Sequence, residues 1–342
     1  KWIESIGLLK MDFLGLRTLT VLEDAEKAVR DNRGVTVNWD ELGLEDPKVF
    51  DLFASGETTG IFQFESSGMR DYLRKLRPSA FEDIIAMNAL YRPGPLDMNM
   101  IEKYIDRKQG REKVEYYHPK IEKVLRDTYG VIVYQDQVMQ VAAALAGFSM
   151  AKADTLRAAM GKKKADLMAQ MKTEFIDGAV AQKVPRDVAE KVFDFCSTFA
   201  RYGFNRAHSA SYALLAYRCA WLKAHYPVEF MAALMTSEMG DTDRIRIFMR
   251  ECRRLNIAVD PPDINVSHSA FTARGERILF GLSAVKNVGG GAVDVIVLAR
   301  NEGGEFSTIY DFTGRVDVRT VNRRALEALV CAGAFDRLPG HR

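Results

Sequence analysis

Between His118 and Arg254 the chain reads as helix almost without a break, and the breaks can be named: Gly147, Gly161, Pro185, Gly203 and Pro227. Glycine has no Cβ to hold it in one backbone region, and proline has no N–H to give, so each punctuates a helical pattern. The spacing therefore predicts a row of helices joined by short turns. Ser149 is placed to cap the helix that follows it, and Pro227 suits a first helical turn. A run of this kind must pack its apolar stripes against one another, which makes a helical body.

The flanks are different. Residues Ile6–Leu16 read as an extended segment entering a helix that runs to about Arg30. Residues 40–115 read as mixed, with turns at Ser55-Gly56 and Ser67-Gly68 and a rigid, non-helical corner at Arg92-Pro93-Gly94-Pro95. Val259-Asp260-Pro261-Pro262-Asp263 has the composition of a linker. After it come two short strands, near Phe271–Ala273 and Ile278–Phe280, and then short helices. The expected fold class is mixed α/β, mostly α. With 342 residues, 47% of them apolar, wholesale disorder is excluded. Cys196, Cys219, Cys252 and Cys331 show no CxxC spacing, so neither a disulfide framework nor a zinc site is expected, and a reducing cytoplasm is. No apolar run approaches a membrane span. The start at Lys1-Trp2, inside an apolar segment, reads as a cut from a longer protein.

A net charge of +2 conceals local asymmetry. From Phe195 to Val228 there is no Asp or Glu, while Arg201, Arg206, Arg218 and Lys223 are present. Upstream, Lys152, Arg157, Lys162, Lys163 and Lys164 face only Asp154. Either a polyanion meets this footprint, through release of its counterions, or the charges form a solvated helix face.

Four segments carry side chains with chemical reach. In Leu8-Leu9-Lys10-Met11-Asp12-Phe13-Leu14 an extended backbone turns Lys10 and Asp12 to one face of an apolar strand. A simple Lys–Asp pair, a helix cap and a metal ligand all fit, although Mg²⁺ would need further carboxylates. Asp241-Thr242-Asp243 offers a DxD, but its place before a helical run makes it a cap. In Arg157-Ala158-Ala159-Met160-Gly161-Lys162-Lys163-Lys164, cations gathered at a bend suit a triphosphate tail, or else a solvated connection. In Tyr202-Gly203-Phe204-Asn205-Arg206-Ala207-His208-Ser209, a polar cluster opens a helix whose free N–H groups could meet an anion. His208 and Tyr212 lie one turn apart on that helix. Gly281 to Ile296 reads as a short helix, a Gly-x-Gly turn at Gly289–Gly291 and a second helix. This is a helix–hairpin–helix pattern, which serves either packing or phosphate contact. A second helical pair follows at Val321–Val330.

The segments together are specific. Lys10-Met11-Asp12-Phe13-Leu14-Gly15-Leu16-Arg17, Gly60-Ile61-Phe62-Gln63-Phe64-Glu65-Ser66, Tyr91-Arg92-Pro93-Gly94-Pro95 and Tyr134-Gln135-Asp136-Gln137 occur in this order. Ala159-Met160-Gly161-Lys162-Lys163, Tyr202-Gly203-Phe204-Asn205 and Lys223-Ala224-His225-Tyr226-Pro227 follow. Over essentially its whole length the chain resembles the middle of the alpha subunit of bacterial DNA polymerase III, a C-family replicative polymerase. The resemblance implies template-directed addition of deoxynucleoside triphosphates to a primer by a two-metal mechanism, with Mg²⁺. Residues 1–50 would be the C-terminal part of the palm, 51–256 the fingers, and 257–342 the start of the clamp-binding region with a tandem helix–hairpin–helix. Asp12 matches a catalytic aspartate and metal ligand, and Lys10 the lysine beside it. Arg157, Lys162, Lys163, Asn205 and His208 match nucleotide-binding positions, His208 with a sugar-discriminating role. Arg201, Arg206, Lys286, Gly289 and Gly291 would contact DNA.

The implied partners are primer–template DNA, deoxynucleoside triphosphates and, through the full-length subunit, the sliding clamp, clamp loader and proofreading exonuclease. No membrane is implied. Two departures stand out. A second arginine frequent in the family is Ala158 here. The family's paired aspartates, from a Pro-Asp-x-Asp-x-Asp motif, would lie upstream of residue 1, so the isolated chain is expected to be inactive. A non-catalytic DNA-binding module and an error-prone C-family paralogue are the alternatives.

Overall fold

A computed structural model describes residues 6–8, 11, 15–162, 165–200 and 203–339. Lys10, Asp12, Lys163 and Arg201 lie outside that set, and Lys162 is described only as the last residue of a helix. The described backbone is mostly helical with one small three-stranded sheet, as the fold class anticipates. It forms two compact units, residues 43–220 and residues 1–42 with 221–342.

The first half of residues 43–220 is a succession of short, capped helices. Asp46 accepts the Lys48 amide at 2.9 Å to open Pro47–Ser55, and Ser66 accepts the Met69 amide at 3.3 Å to open Ser67–Leu76. Helix Phe81–Leu90 begins over buried Asp83, whose Oδ2 takes the Ser79 and Ala80 amides and the Lys108 ammonium, the last at 2.7 Å. Each cap satisfies an N–H that the helix itself cannot. Two expectations fail in this stretch. It holds no strand among its described residues, and Arg92-Pro93-Gly94-Pro95 opens the short helix Pro93–Asp97 instead of a non-helical corner. The N–H groups of a first turn have no intrahelical acceptor, so prolines there forfeit nothing.

The second half is the expected row: Pro119–Leu125, Gln135–Ala146, Met150–Lys162, Ala165–Ala181, Arg186–Ala200 and Arg206–His225, within which the division between the units falls. Gly147 ends its helix with a left-handed φ of 68°, and Ser149 caps the next one, accepting the Lys152 amide at 3.3 Å. Gly161 is the last residue but one of its helix, which ends at Lys162. The core is built from i, i+3, i+7 stripes such as Val138, Val141 and Leu145, and Ala189, Val192 and Cys196, closed around Phe175.

In the other unit, helix Arg17–Arg33 buries Val21, Leu22, Ala25 and Val29 and packs on helix Pro227–Ser237. Where the first helix ends, Asn32 and Arg33 grip Glu229, which has no exposure, and the tip of a hairpin at Gly275 and Glu276. That hairpin joins strands Thr272–Arg274 and Arg277–Leu279; the latter also pairs in parallel with Ala258–Asp260. Val259 and Asp260 are therefore strand, not linker, and the two expected strands are displaced by about one residue. Asp241 caps helix Thr242–Arg254, accepting the Asp243 and Arg244 amides at 3.0 Å each, as foreseen. The tail, with helices Gly290–Gly303, Ile309–Arg315 and Arg323–Cys331, closes over Leu282, Val293, Ile296, Phe306, Phe312 and Leu329. Its first element is a single 3₁₀ turn, Leu282–Ala284, where the sequence suggests a short helix.

All four cysteines are free. Burial pushes the thiols of Cys196, Cys219 and Cys252 up to about 12. Cys331 is exposed and lines an apolar groove of about 650 Å³ with Phe280, Lys286, Asn287 and Arg324. No described helix is long and apolar enough to cross a membrane.

One motif of the acid-free stretch turns inward. Lys223 is buried and donates to Glu251 Oε1 at 2.6 Å, and Arg254 donates to the same oxygen at 2.7 Å. Lys223 is thus spent on structure and leaves the polyanion footprint drawn from the sequence. Burial alone would raise the Glu251 carboxyl, but Arg254 and Lys223 outweigh it, and its pKa ends below the ordinary value. Lys223→Met should cost about 1.5–3 kcal/mol, because the buried carboxylate loses one of its two cationic partners and keeps Arg254, and adding Glu251→Met should return most of that. Because the folded pKa is depressed, the contribution of Glu251 is present above about pH 4.3 and lost as pH falls through the folded value. Glu251→Gln should flatten the acid limb of a plot of urea midpoint against pH.

Candidate nucleotide and nucleic-acid surfaces

Within residues 43–220 a short backbone bridge organises the residues of interest. Phe204 N–H donates to Val133 C=O at 3.1 Å, and Gln135 N–H donates to Phe204 C=O at 2.9 Å. The bridge sets the starts of helices Gln135–Ala146 and Arg206–His225 side by side. Gly203 permits the approach, because a Cβ there would stand 3.1 Å from Gln135 Cγ and 3.3 Å from its amide nitrogen.

Both helix starts are already capped. Asn205 Oδ1 accepts the His208 amide at 2.9 Å, and Asp136 Oδ2 accepts the Arg206 amide at 3.2 Å. Gln137 Oε1 takes the amides of Val133 and Tyr134 at 2.8 and 3.0 Å. The start of Arg206–His225 is therefore not the bare N–H cradle that the sequence suggests. What remains free to meet an anion is side-chain charge. Arg157 reaches Gln135 Oε1 with Nη1 at 3.4 Å, while Nε and Nη2 hold exposed Asp154 at 2.9 and 2.8 Å.

The exposed ring of His208 stands 5.4 Å from Phe204 and 4.2 Å from Tyr212, which lies 5.1 Å from Phe62. Cations attend this aromatic row. The Arg92 guanidinium lies 4.5 Å from the Phe204 ring centre, and that of Arg206 lies 5.8 Å from Tyr134. Burial lowers the Arg92 pKa and raises that of the Tyr134 phenol. Ser209, crowded beside these in sequence, is buried and donates to Ile85 C=O at 2.6 Å, a purely internal bond. The structure thus gathers Arg157, Asn205, Arg206 and His208 around one pair of helix starts. It adds Gln135, Asp136, Arg92, Phe62 and Tyr212, to which the sequence assigned no role. Their signal was there, since all but Tyr212 lie in the ordered motifs that carry the family resemblance. Stacking faces beside guanidinium groups can hold a base or sugar and its phosphates.

In the other unit, Lys286 and the residues Gly289–Gly291 are exposed at the start of helix Gly290–Gly303. Gly289 has φ −83°, and none of the three has a positive φ. A Cβ on any of them would meet nothing within 4 Å. Gly281, by contrast, is packed: a Cβ there would stand 2.6 Å from Ala270 carbonyl carbon. Internal packing explains Gly281 and leaves the run Gly289–Gly291 unexplained. The open space over it is what a phosphate needs to reach helix N–H groups.

These features are a helical body with stacking and cationic side chains and, in the other unit, an exposed glycine run that opens a helix. Residues 18–183 match the bacterial DNA polymerase III alpha subunit finger domain, and residues 256–342 match a helix–hairpin–helix motif. DNA polymerase III subunit alpha of Haemophilus influenzae is 47% identical over 99% of the chain. Those of Thermus aquaticus and Caulobacter vibrioides are 50% and 48% identical over 98% and 100% of it. The chain belongs to the alpha-subunit family of bacterial DNA polymerase III, and spans about 30% of the length of these relatives.

Two substitutions probe the geometry. Gly203→Ala should destabilise by about 1–3 kcal/mol through overpacking against Gln135. It should also speed amide exchange at Phe204 and Gln135. Gly291→Ala should do the reverse, raising stability by about 0.5–1 kcal/mol, because the helix gains a Cβ with no clash. A lower melting temperature for it would show that the glycine is needed by the fold.

Proposed function

We propose that this chain contributes the incoming-nucleotide and duplex-holding surfaces of a DNA-directed DNA polymerase, which adds deoxynucleotides to a primer 3′-hydroxyl under template direction. The single observation that carries the reading is the meeting at Gln135 of Arg157 and the start of the helix bearing His208. In this reading Arg157, with Lys162 and Lys163, meets the triphosphate, and Asn205 and His208 lie near the sugar. Guanidinium and ammonium groups stabilise charge on a transferring phosphoryl group without forming covalent bonds to it. Asn205 acts by fixing the first turn that carries His208. Lys286, Gly289 and Gly291 hold the duplex by backbone contact, which carries no sequence preference; Arg201 and Arg206 add to the DNA contact.

Mg²⁺ enters only through the resemblance. No group of three His, Cys, Asp or Glu side chains among the described residues could hold a metal ion, and Asp12 and Lys10 lie outside them. The described residues do not make up a metal site, and no step is derived through the ion. The division into palm (1–50), fingers (51–256) and clamp-binding region (257–342) belongs to the same proposal. So do the sliding clamp, clamp loader and exonuclease as partners of the full-length protein, and its work in the cytoplasm away from membranes.

The test is primer extension by the full-length protein carrying this chain. Arg157→Ala should raise KM for deoxynucleoside triphosphates about tenfold or more while primer–template affinity holds, the loss expected for a charge-assisted contact. His208→Ala should narrow the preference for deoxyribo- over ribonucleotides. Unchanged kinetics in both variants would remove the nucleotide from this surface.

A further inference from the structure

Helix Thr242–Arg254 carries Arg244, Arg246, Arg250, Arg253 and Arg254 against two acids, Asp243 and Glu251. Glu251 faces inward and is taken by Lys223 and Arg254. The guanidinium of Arg244 lies 4.7 Å from the Phe248 ring centre. That leaves Arg246, Arg250 and Arg253, at spacing i, i+4, i+7, on one exposed face beside Ile247, which is 41% exposed. Arg246 shares only an exposed pair with Asp243 at 2.9 Å, a contact of little strength. The side chains of Arg250 and Arg253 make no hydrogen bond or ion pair among the described residues. Around Arg250 the positions one turn away are Arg246, Ile247, Arg253 and Arg254, so no acid stands where helical pairing would put one. Like charges at this spacing destabilise a helix, and only the last turn gains from the helix dipole. The face is therefore held against its own repulsion, a state that an external polyanion relieves.

We infer that Arg246, Arg250 and Arg253 form a second phosphodiester-binding face, separate in sequence from the glycine run at Gly289–Gly291. The inference rests on the proposal that the protein handles DNA. At 1.5 Å of rise per residue the three guanidinium groups span about 10 Å, enough for two or three successive phosphates of one strand. Arginine suits the task, because its planar fork grips phosphate oxygens in pairs. A single row of like charges matches the repeat of phosphates along a strand, so the contact is to backbone, whether of a single strand or of a duplex.

The experiment measures binding of the full-length protein to a labelled single strand and to a labelled duplex by anisotropy across a salt series. The triple variant Arg246→Gln/Arg250→Gln/Arg253→Gln should flatten log K against log salt by about 2 for whichever DNA uses the face. Replacing the same three residues by lysine should leave the slope near wild type, which separates lost charge from lost fold. Equal slopes for wild type and the glutamine variant on both DNAs, with Lys286→Gln still weakening binding, would overturn this face alone. Wild-type protein that binds neither DNA would overturn the DNA-handling proposal and this inference with it.

Discussion

The bridge between Phe204 and the segment Val133–Gln135 is the contact on which the candidate nucleotide surface depends. Two backbone hydrogen bonds, at 3.1 and 2.9 Å, join segments some seventy residues apart in the chain and bring two helix starts together. Backbone bonds fix position more closely than side-chain contacts, since they involve no rotamer freedom. Everything chemical nearby is then placed by short reach: Asp136 caps across the junction, Asn205 caps its own helix, Gln135 meets Arg157, and His208 stands one turn into its helix. Remove the close approach at Gly203 and these groups lose their common reference, although each helix could persist.

The basic residues of the chain divide by what they touch, and the division matters more than their number. Lys223 and Lys108 are enclosed with Glu251 and Asp83, and Arg33 binds the fully buried Glu229. Arg300 is buried and donates to the carbonyls of Ile264 and Ser267. Buried pairs of this kind add little net stability but are costly to break, so they fix arrangement. Arg157, Arg206, Lys286 and, on helix Thr242–Arg254, Arg246, Arg250 and Arg253 face solvent to different degrees and are among those available to phosphate. A net charge near zero is compatible with nucleic-acid binding once the two populations are told apart.

Much of this could be read in advance, for identifiable reasons. The helical row after His118 was legible because glycine, proline and capping residues act locally, and the Ser149 and Asp241 caps form as their neighbours dictate. Pro93 and Pro95 misled because proline is a breaker inside a helix and a good opener at its start; the difference is one turn of position, which composition does not carry. The strand at Ala258–Asp260 was hidden because its partner, Arg277–Leu279, lies a loop and a strand away, and parallel pairing leaves no turn signal. The same limit hid the meeting of Gln135 with Arg157 and of Tyr212 with Phe62, both set by tertiary folding, and Lys223 turned inward for a partner twenty-eight residues on.

The four cysteines bring a practical consequence. Three lie in cores with thiols held protonated, whereas Cys331 lies open beside Lys286 and Asn287. Thiolate is the reacting species, so an alkylating dye at neutral pH should discriminate sharply among them. The unaltered chain accordingly carries a single-site attachment point for a fluorophore or spin label, a few side chains from the glycine run. A reporter there would follow the approach of a nucleic-acid strand to the helix–hairpin–helix module without a cysteine being added or removed.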